Sequence, residues 1–261
     1  MLRALDSAAT GMEAQQMYID VTSNNLANVN TTGFKKVRAN FQDLMYQLQK
    51  TPGGATSQTT SSPSGIQVGL GVRTASTQKE YVAGALKNTG NFLDVAIQGD
   101  GFFQITMPDG SIGYTRDGSF HRDSNGAMVN AQGMPLEPQI TIPLEVSTVD
   151  IGQDGTVTGQ TNTQAQPIQL GQIQIANFVN PAGLIALGGN LVKESGSSGP
   201  PIVGNPGENG FGALNAGFLE MSNVEVVEEM IHLIAAQRAF EFNSKSVQAA
   251  DGMLRELNNL R

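Results

Sequence analysis

Four aspartates in the middle of the chain are the residues whose types and spacing could most readily do chemistry. A pair of carboxylates can act as acid and nucleophile in glycoside hydrolysis. Asp109, Asp117 and Asp154 each directly precede a glycine, and Asp123 begins the run Asp-Ser-Asn-Gly. Aspartate is favoured at such positions because its side chain bonds the backbone of a tight turn. The spacing therefore favours four turns over a catalytic pair.

The residue types and spacings in the sequence give little support for a metal or cofactor site. The chain has no cysteine, which excludes disulfides, thiolate metal sites and a cysteine nucleophile. Its two histidines, His121 and His232, lack a ligand spacing. The segment from Asp123 resembles part of a calcium loop, but Met134 stands where the twelfth-position glutamate should be. The glycine-rich run from Gly69 lacks the third glycine of a dinucleotide loop. We therefore expect no metal, no cofactor and no enzymatic activity.

Composition and charge exclude two classes of partner. The chain has 261 residues, of which 39% are hydrophobic and 15% charged, and its net charge is −8. Such an acidic chain lacks the basic face that nucleic-acid phosphates require. No apolar run approaches the ~18 residues of a membrane helix, and Asp6 interrupts the region where a cleaved signal would be apolar. We expect no nucleic-acid partner, no integral membrane segment and no standard secretory signal.

The middle of the chain, about residues 66–218, predicts an antiparallel β domain. Asp-Gly or Asn-Gly pairs begin at Asp109, Asp117, Asn125 and Asp154, and these dipeptides suit two-residue hairpin turns. The strands predicted around them are short: Ala96–Ile97, Phe102–Thr106, Ile112–Thr115, Ala127–Val129, Ile140–Ile142, Val149–Ile151, Thr156–Thr158 and Ile168–Ile175.

Both ends of the chain predict long helices with an apolar residue at every seventh position, the last helix starting at Val226. These positions are Leu5, Met12, Ile19 and Leu26 in the first helix and Val226, Leu233, Phe240, Val247 and Leu254 in the last. A second row in the last helix, beginning at Glu229, is mostly small or polar. Such a pattern favours close, supercoiled packing of the two helices.

The predicted fold class is therefore α+β, a coiled-coil-like pair of N- and C-terminal helices plus an inserted antiparallel all-β domain. The expected boundaries are 1–30 and 224–261 for the helical stalk, 31–68 for an extended connector and 69–223 for the β domain.

Further apolar residues lie on other faces of the two helices, among them Met17 in the first and Val227, Ile231 and Ile234 in the last. Two helices alone cannot cover so many, and each costs about 1.5–3 kcal/mol if left in water. We expect neighbouring chains to cover them. The alternative is that the helices belong to an ordinary core.

Three segments between these elements carry further expectations. Residues 46–63 contribute little to a core beyond their first positions, so we interpret them as an intersubunit arm that includes Tyr46, Gln47, Leu48, Pro52 and Pro63. The Asn-rich stretch 23–30 is expected to end the first helix, near Gly33, and to offer its amides to other subunits. The basic cluster 34–38 is either a solvated face or a contact for acidic residues of adjacent subunits, such as Glu225, Glu228 and Glu229.

Three motifs, in order, resemble one family. The run Ser23–Lys35 (SNNLANVNTTGFK) resembles the N-terminal signature of the flagellar rod and hook axial proteins. The runs Ser222–Met230 (SNVEVVEEM) and Gln237–Glu241 (QRAFE) resemble the C-terminal signature. Asp94–Phe103 (DVAIQGDGFF) and Tyr114–Phe120 (YTRDGSF) resemble the body of the same family. The resemblance covers the chain nearly end to end.

The resemblance implies a structural subunit of the flagellar basal body that polymerises helically with copies of itself. Segment 46–63 resembles an insertion characteristic of distal rod subunits and missing from the curved hook, which implies a straight, torque-transmitting rod between periplasm and outer membrane. Implied partners are proximal rod proteins, the hook protein, the bushing of outer-ring proteins and the flagellar type III export apparatus, without a cleaved signal. Alternatives are a proximal rod or hook subunit, or a secreted β-rich adhesin.

Overall fold

The computed structural model describes residues 2–51, 64–161, 164–208 and 210–259. In these ranges the chain forms two long α-helices, one short 3₁₀ helix and twenty strands. The helices are α1 (Leu2–Ala27) and α2 (Val226–Asn259), with the 3₁₀ turn at Pro181–Gly183. The strands are β1 (Val37–Asp43), β2 (Tyr46–Lys50), β3 (Ile66–Gly69), β4 (Val72–Lys79), β5 (Leu86–Asn88), β6 (Val95–Gln98), β7 (Phe102–Thr106), β8 (Ile112–Thr115), β9 (His121–Arg122), β10 (Met128–Val129), β11 (Leu136–Glu137), β12 (Val146–Ile151), β13 (Thr156–Thr161), β14 (Gln164–Gln172), β15 (Ile175–Asn177), β16 (Ile185–Gly188), β17 (Leu191–Lys193), β18 (Ile202–Gly204), β19 (Ala213–Ala216) and β20 (Phe218–Glu220).

The predicted α+β class is confirmed, with a helix at each end and antiparallel strands between them. The chain divides into two compact units. We call residues 1–27, 37–78 and 225–261 the helical unit, and residues 28–36 and 79–224 the β unit. The region expected as an extended connector, 31–68, contains β1, β2 and β3 and is shared between the two units.

In the helical unit, α1 and α2 pack against each other in antiparallel orientation. Gly11 of α1 lies against Asn243, where an added Cβ would stand 2.9 Å from the amide nitrogen. Near the other end of α1, the Asn25 amide lies 3.3 Å from the Glu229 carboxylate. Strand β1 packs on α1 and pairs with β4, while β2 and β3 form a separate two-stranded hairpin. The glycine contact shows how closely the two helices approach.

The β unit has a large apolar core of its own. Its main sheet has the strand order β16-β17-β8-β7-β15-β18, with β11 also paired to β7. A three-stranded sheet of β12, β13 and β14 and three strand pairs, β19–β6, β20–β5 and β9–β10, complete it. The buried cluster on one side contains Phe103, Ile105, Phe120, Leu136 and Ile175, all less than 2% exposed. A second cluster is aromatic and lies around Phe102, Tyr114 and Phe178.

Three of the four predicted turns are hairpins. The turn at Asp109 joins β7 to β8, that at Asn125 joins β9 to β10, and that at Asp154 joins β12 to β13. The hairpin predicted at Asp117 is absent, because β8 and β9 on either side of it do not pair with each other, although the Asp117 carboxylate accepts from the Ser119 amide at 3.2 Å as expected. The predicted strand 140–142 is also absent and contributes only one isolated bridge, at Thr141.

Gly118 is required by close backbone packing rather than by a turn. A Cβ added there would lie against the Val95 carbonyl oxygen, and the Val95 amide donates to the Gly118 carbonyl at 3.0 Å. Backbone of a core strand cannot move aside, so Gly118→Ala should destabilise the β unit by about 3 kcal/mol or more. Gly196→Ala is the matched control, since nothing lies within 4 Å of its added Cβ. Equal denaturation midpoints for the two variants would contradict this packing.

Candidate assembly interface

The residues buried along α1 and α2 are small or polar. They are Ala8, Ala14, Thr22 and Asn25 in α1 and Glu229, Ala236 and Ala250 in α2. In the whole helical unit, the buried apolar residues among those described are alanines, the fifth being Ala39 of β1. Alanine buries little area, so the described part of this unit has no core of large side chains to stabilise it.

The large residues of the predicted seven-residue rows lie beside this buried line. Most are half-buried: Leu5, Met12, Ile19, Leu26, Leu233, Val247 and Leu254. Val226 and Phe240 are exposed. The line of closest approach between the helices is instead the second row of α2, at Glu229, Ala236, Asn243 and Ala250. Packing of the large residues against other subunits stays a prediction.

An outer patch of α2 consists of Val227, Met230, Ile231 and Ile234. These residues follow one face of the helix at spacings of three and four, and the exposed fraction is 71% at Val227 and 60% at Ile231. The sequence predicted uncovered apolar residues at three of these four positions. Exposed apolar faces of this kind are typical of interaction surfaces, and coverage of this one by another chain stays a prediction.

Asn25 fastens α1 to its neighbours within the helical unit. Its amide donates to the Val37 carbonyl at 2.9 Å and to the Glu229 carboxylate at 3.3 Å. Its side-chain oxygen accepts from the Val37 amide at 2.9 Å. The expectation that this amide bonds to another subunit is therefore wrong, and α1 ends at Ala27 rather than near Gly33.

The β2–β3 hairpin exposes apolar side chains. Tyr46 pairs with Gly69 and Leu48 with Gln67, and every residue of β2 is exposed, including Gln47. Four large apolar side chains in and beside the hairpin are each more than half exposed, those of Met45, Tyr46, Leu48 and Ile66. An isolated two-stranded hairpin is marginally stable in water, so this one gains most from a surface to lie on. The arm residues Pro52 and Pro63 lie outside the described residues.

Lys35 of the basic cluster is buried, whereas Arg38 of the same cluster is exposed. The Lys35 ammonium lies 2.6 Å from the Glu220 carboxylate, and its side chain is 2% exposed. Arg116 approaches the other oxygen of Glu220 at 3.4 Å. Burial lowers the pKa of Lys35, and the adjacent Glu220 carboxylate acts in the opposite direction. Both sequence interpretations were wrong for Lys35, which pairs inside its own β unit.

The aspartates considered first for chemistry bond to turns. The Asp109 carboxylate accepts from the hydroxyl of Ser111 at 2.7 Å, and Asp154 accepts from that of Thr156 at the same distance. These hydrogen bonds lower the pKa of both carboxyls, whereas a general acid needs a raised one. The described residues contain no cluster of histidine and carboxylate side chains able to hold a metal ion. None of the described helices is long and apolar enough to cross a membrane.

Among the described residues, the helical unit buries alanines as its apolar side chains, whereas the β unit buries large ones, and this contrast favours the class of structural subunits that assemble with other chains. Sequence models of three flagellar families match the chain: "Flagella basal body rod protein" at residues 5–35, "Flagellar hook protein FlgE/F/G D1 domain" at 96–159 and "Flagellar basal body rod FlgEFG protein C-terminal" at 215–260.

The chain is also similar over its whole length to curated relatives named "Flagellar basal-body rod protein FlgG". The relative from Borreliella burgdorferi is 50% identical over 263 residues, covering 100% of this chain and 99% of the relative. That from Buchnera aphidicola subsp. Schizaphis graminum is 50% identical and that from Bacillus subtilis 41%, each with full coverage of both chains. The chain belongs to the FlgG family of flagellar basal-body rod proteins.

Proposed function

We propose that the chain is a structural, non-catalytic subunit that polymerises helically into the straight distal rod of the flagellar basal body and transmits torque from motor to hook. The observation that carries this proposal is the contrast between its two units. The helical unit buries alanines and exposes large apolar residues, while the β unit buries phenylalanine, isoleucine and leucine. The first unit needs other copies to complete its core.

The outer patch and the large residues of the seven-residue rows are the proposed contacts between copies. Burying each large apolar side chain contributes about 1.5–3 kcal/mol, and the outer patch alone offers four. Several such contacts repeated around a helical polymer outweigh the entropy lost on association. Assembly thus supplies the core that the helical unit lacks.

The rod subunit has further partners at its ends and sides. Because a distal rod lies between the proximal rod and the hook and passes through the outer rings, we propose three such partners. They are the proximal rod proteins, the hook protein and the outer-ring proteins that form the bushing. The flagellar type III export apparatus is the proposed route of delivery. The full-length similarity to basal-body rod proteins supports the first two of these partners most directly.

The hairpin of β2 and β3 is the proposed stiffening element, together with residues 52–63 between its strands. Its exposed apolar side chains and unpaired strand edges can bond to an adjacent subunit at about 0.5–1.5 kcal/mol for each hydrogen bond. Such bridges oppose the sliding of neighbouring subunits that a bending tube requires. The hairpin therefore contributes to the rigidity of the polymer rather than to the fold of the monomer.

Electron microscopy of the purified chain at high concentration tests both proposals. The wild type should form straight tubes. Replacing residues 46–69 with a short Gly-Ser link should leave assembly intact but give curved or flexible tubes; the link is short because the Leu44 amide bonds the Gly71 carbonyl at 2.9 Å. A control keeps both strands and exchanges only residues 52–63 for a Gly-Ser linker of equal length. It distinguishes the contribution of the strands to tube rigidity from that of the segment that contains the prolines.

Absence of any ordered polymer of the wild type would contradict the rod function. Straight tubes from the 46–69 replacement would instead contradict only the role of the hairpin and assign stiffness to other contacts.

A further inference from the structure

A small basic cavity lies inside the β unit, beside the buried Lys35–Glu220–Arg116 cluster. Its volume is about 30 Å³. Three cationic side chains line it, those of Lys35, Lys79 and Arg116, together with Tyr81. A cavity of this size has room for one water molecule or one ion of similar size.

Two buried donors at this cavity have no hydrogen-bond partner among the described residues. They are the Arg116 Nε–H group and the Tyr81 hydroxyl. The Arg116 side chain is 3% exposed, and its terminal nitrogens are already bonded, one to the Gly99 carbonyl at 2.7 Å and one to Glu220 at 3.4 Å. Buried polar groups in proteins nearly always have a partner, so each exception needs an explanation.

The Tyr81 hydroxyl is fixed as a protonated group at neutral pH. Burial raises its pKa to about 12. The group therefore offers its proton as a donor, as does Arg116, whose guanidinium has no acceptor.

The charges around the cavity do not balance. Lys35 and Arg116 share the single carboxylate of Glu220, and Asp100 acts on Arg116 only from beyond salt-bridge distance. Lys79 forms no ion pair with any other described residue, and burial lowers its pKa. Three cationic residues thus line the cavity, and the one carboxylate bonded to two of them lies beside it; unpaired buried charge is costly.

The donors select an anion over water. A water molecule that accepts from Arg116 and Tyr81 needs acceptors for its own two hydrogens. The Thr115 hydroxyl donates to the Asn190 carbonyl at 2.9 Å and accepts from the Asp117 amide at 3.0 Å, so it can take only one of these two hydrogens. An anion only accepts. A volume of about 30 Å³ favours an ion close to a water molecule in size.

We propose that this cavity binds one small monovalent anion of the size of chloride, which accepts from Arg116 Nε–H and the Tyr81 hydroxyl and is neutralised by the neighbouring Lys79 charge. The bound anion stabilises the β unit by pairing donors that the protein leaves free. Every residue that lines the site belongs to the β unit.

Melting of the full-length chain in sodium chloride, with sodium gluconate making up constant ionic strength, tests this site. In wild type the melting temperature of the β unit should rise by about 3–5 °C for each tenfold increase in chloride above its Kd, as expected for one bound ligand. Tyr81→Phe should abolish most of this dependence. Tyr114→Phe is the matched control, since it removes a hydroxyl from the same aromatic cluster but does not line the cavity.

A second measurement covers the case in which Tyr81→Phe fails to fold. Chlorine-35 NMR of the wild-type chain should show line broadening that added bromide removes. Equal melting in chloride and gluconate, unchanged chloride dependence in folded Tyr81→Phe, or no chlorine-35 broadening would each overturn the anion site.

Discussion

Glu220→Gln is expected to destabilise the β unit by about 3–5 kcal/mol, because it leaves two buried cations without their shared carboxylate. Glu220 is 1% exposed and bonds Lys35 at 2.6 Å and Arg116 at 3.4 Å. It also accepts from the Gly84 amide at 2.9 Å. Denaturant unfolding of wild type and variant measures the loss.

Glu137→Gln is the matched control for this substitution. Glu137 lies on an exposed edge of the same unit and makes one hydrogen bond to Thr106, at 3.1 Å. Its replacement should change stability by less than about 1 kcal/mol. Comparable losses in the two variants would show that the buried cluster does not hold the β unit together.

The pH dependence of Glu220→Gln gives a second signature. Without the carboxylate, burial lowers the pKa of Lys35 further, so the folded variant binds its proton less tightly than the unfolded chain does. When a lysine has a lowered pKa in the folded state, the free energy of unfolding of the protein rises with pH until the ordinary lysine pKa of 10.5 is reached. The deficit of the variant should therefore be smaller near pH 10 than at pH 7.

The double variant Ile231→Asp, Ile234→Asp should abolish assembly while the β unit keeps its melting transition. Both side chains are more than half exposed in the single chain, so the monomer loses little. In the polymer, each substitution removes the roughly 1.5–3 kcal/mol that burying the isoleucine side chain contributes. It also places a carboxylate in an apolar contact. The critical concentration for assembly should rise at least a hundredfold.

Gln237→Asp with Gln248→Asp adds the same two charges to α2 at exposed positions that are already polar. This control should assemble nearly as wild type does. Sedimentation of polymer from monomer over a concentration series measures both variants. Wild-type assembly by the isoleucine variant would show that the outer patch is not a subunit contact.

Much of the helical unit could be predicted from sequence, but the order of its faces could not. Seven-residue periodicity predicted both helices and the start of α2 at Val226. It also favoured the large residues as the line between the helices, whereas the structure buries alanines there. The reason is the close approach at Gly11 and Asn243, which leaves no room for large side chains. Periodicity identifies a face but not the separation of the helices.

The buried charge cluster had no local signal. Lys35 lies in a run of basic residues, a pattern that favours a solvent-exposed face. Its partner Glu220 follows 185 positions later. The pairing of β20 with β5 and the hydrogen bond from the Gly33 amide to the Glu220 carbonyl at 2.8 Å hold this residue in place, where its carboxylate accepts from the Gly84 amide. Asp117 has a long-range partner too, since its carboxylate accepts from the distant Thr32 hydroxyl at 3.0 Å. Contacts between residues so far apart in sequence depend on the completed fold.

Amide hydrogen exchange in dilute monomer and in assembled polymer tests the central claim most directly. If other copies complete the core of the helical unit, amides of α1 and α2 should exchange rapidly in the monomer and become strongly protected in the polymer. Amides of the core strands β7 and β8 should be protected in both states and serve as the internal reference. Strong protection of α1 and α2 in the dilute monomer, unchanged on assembly, would contradict the account.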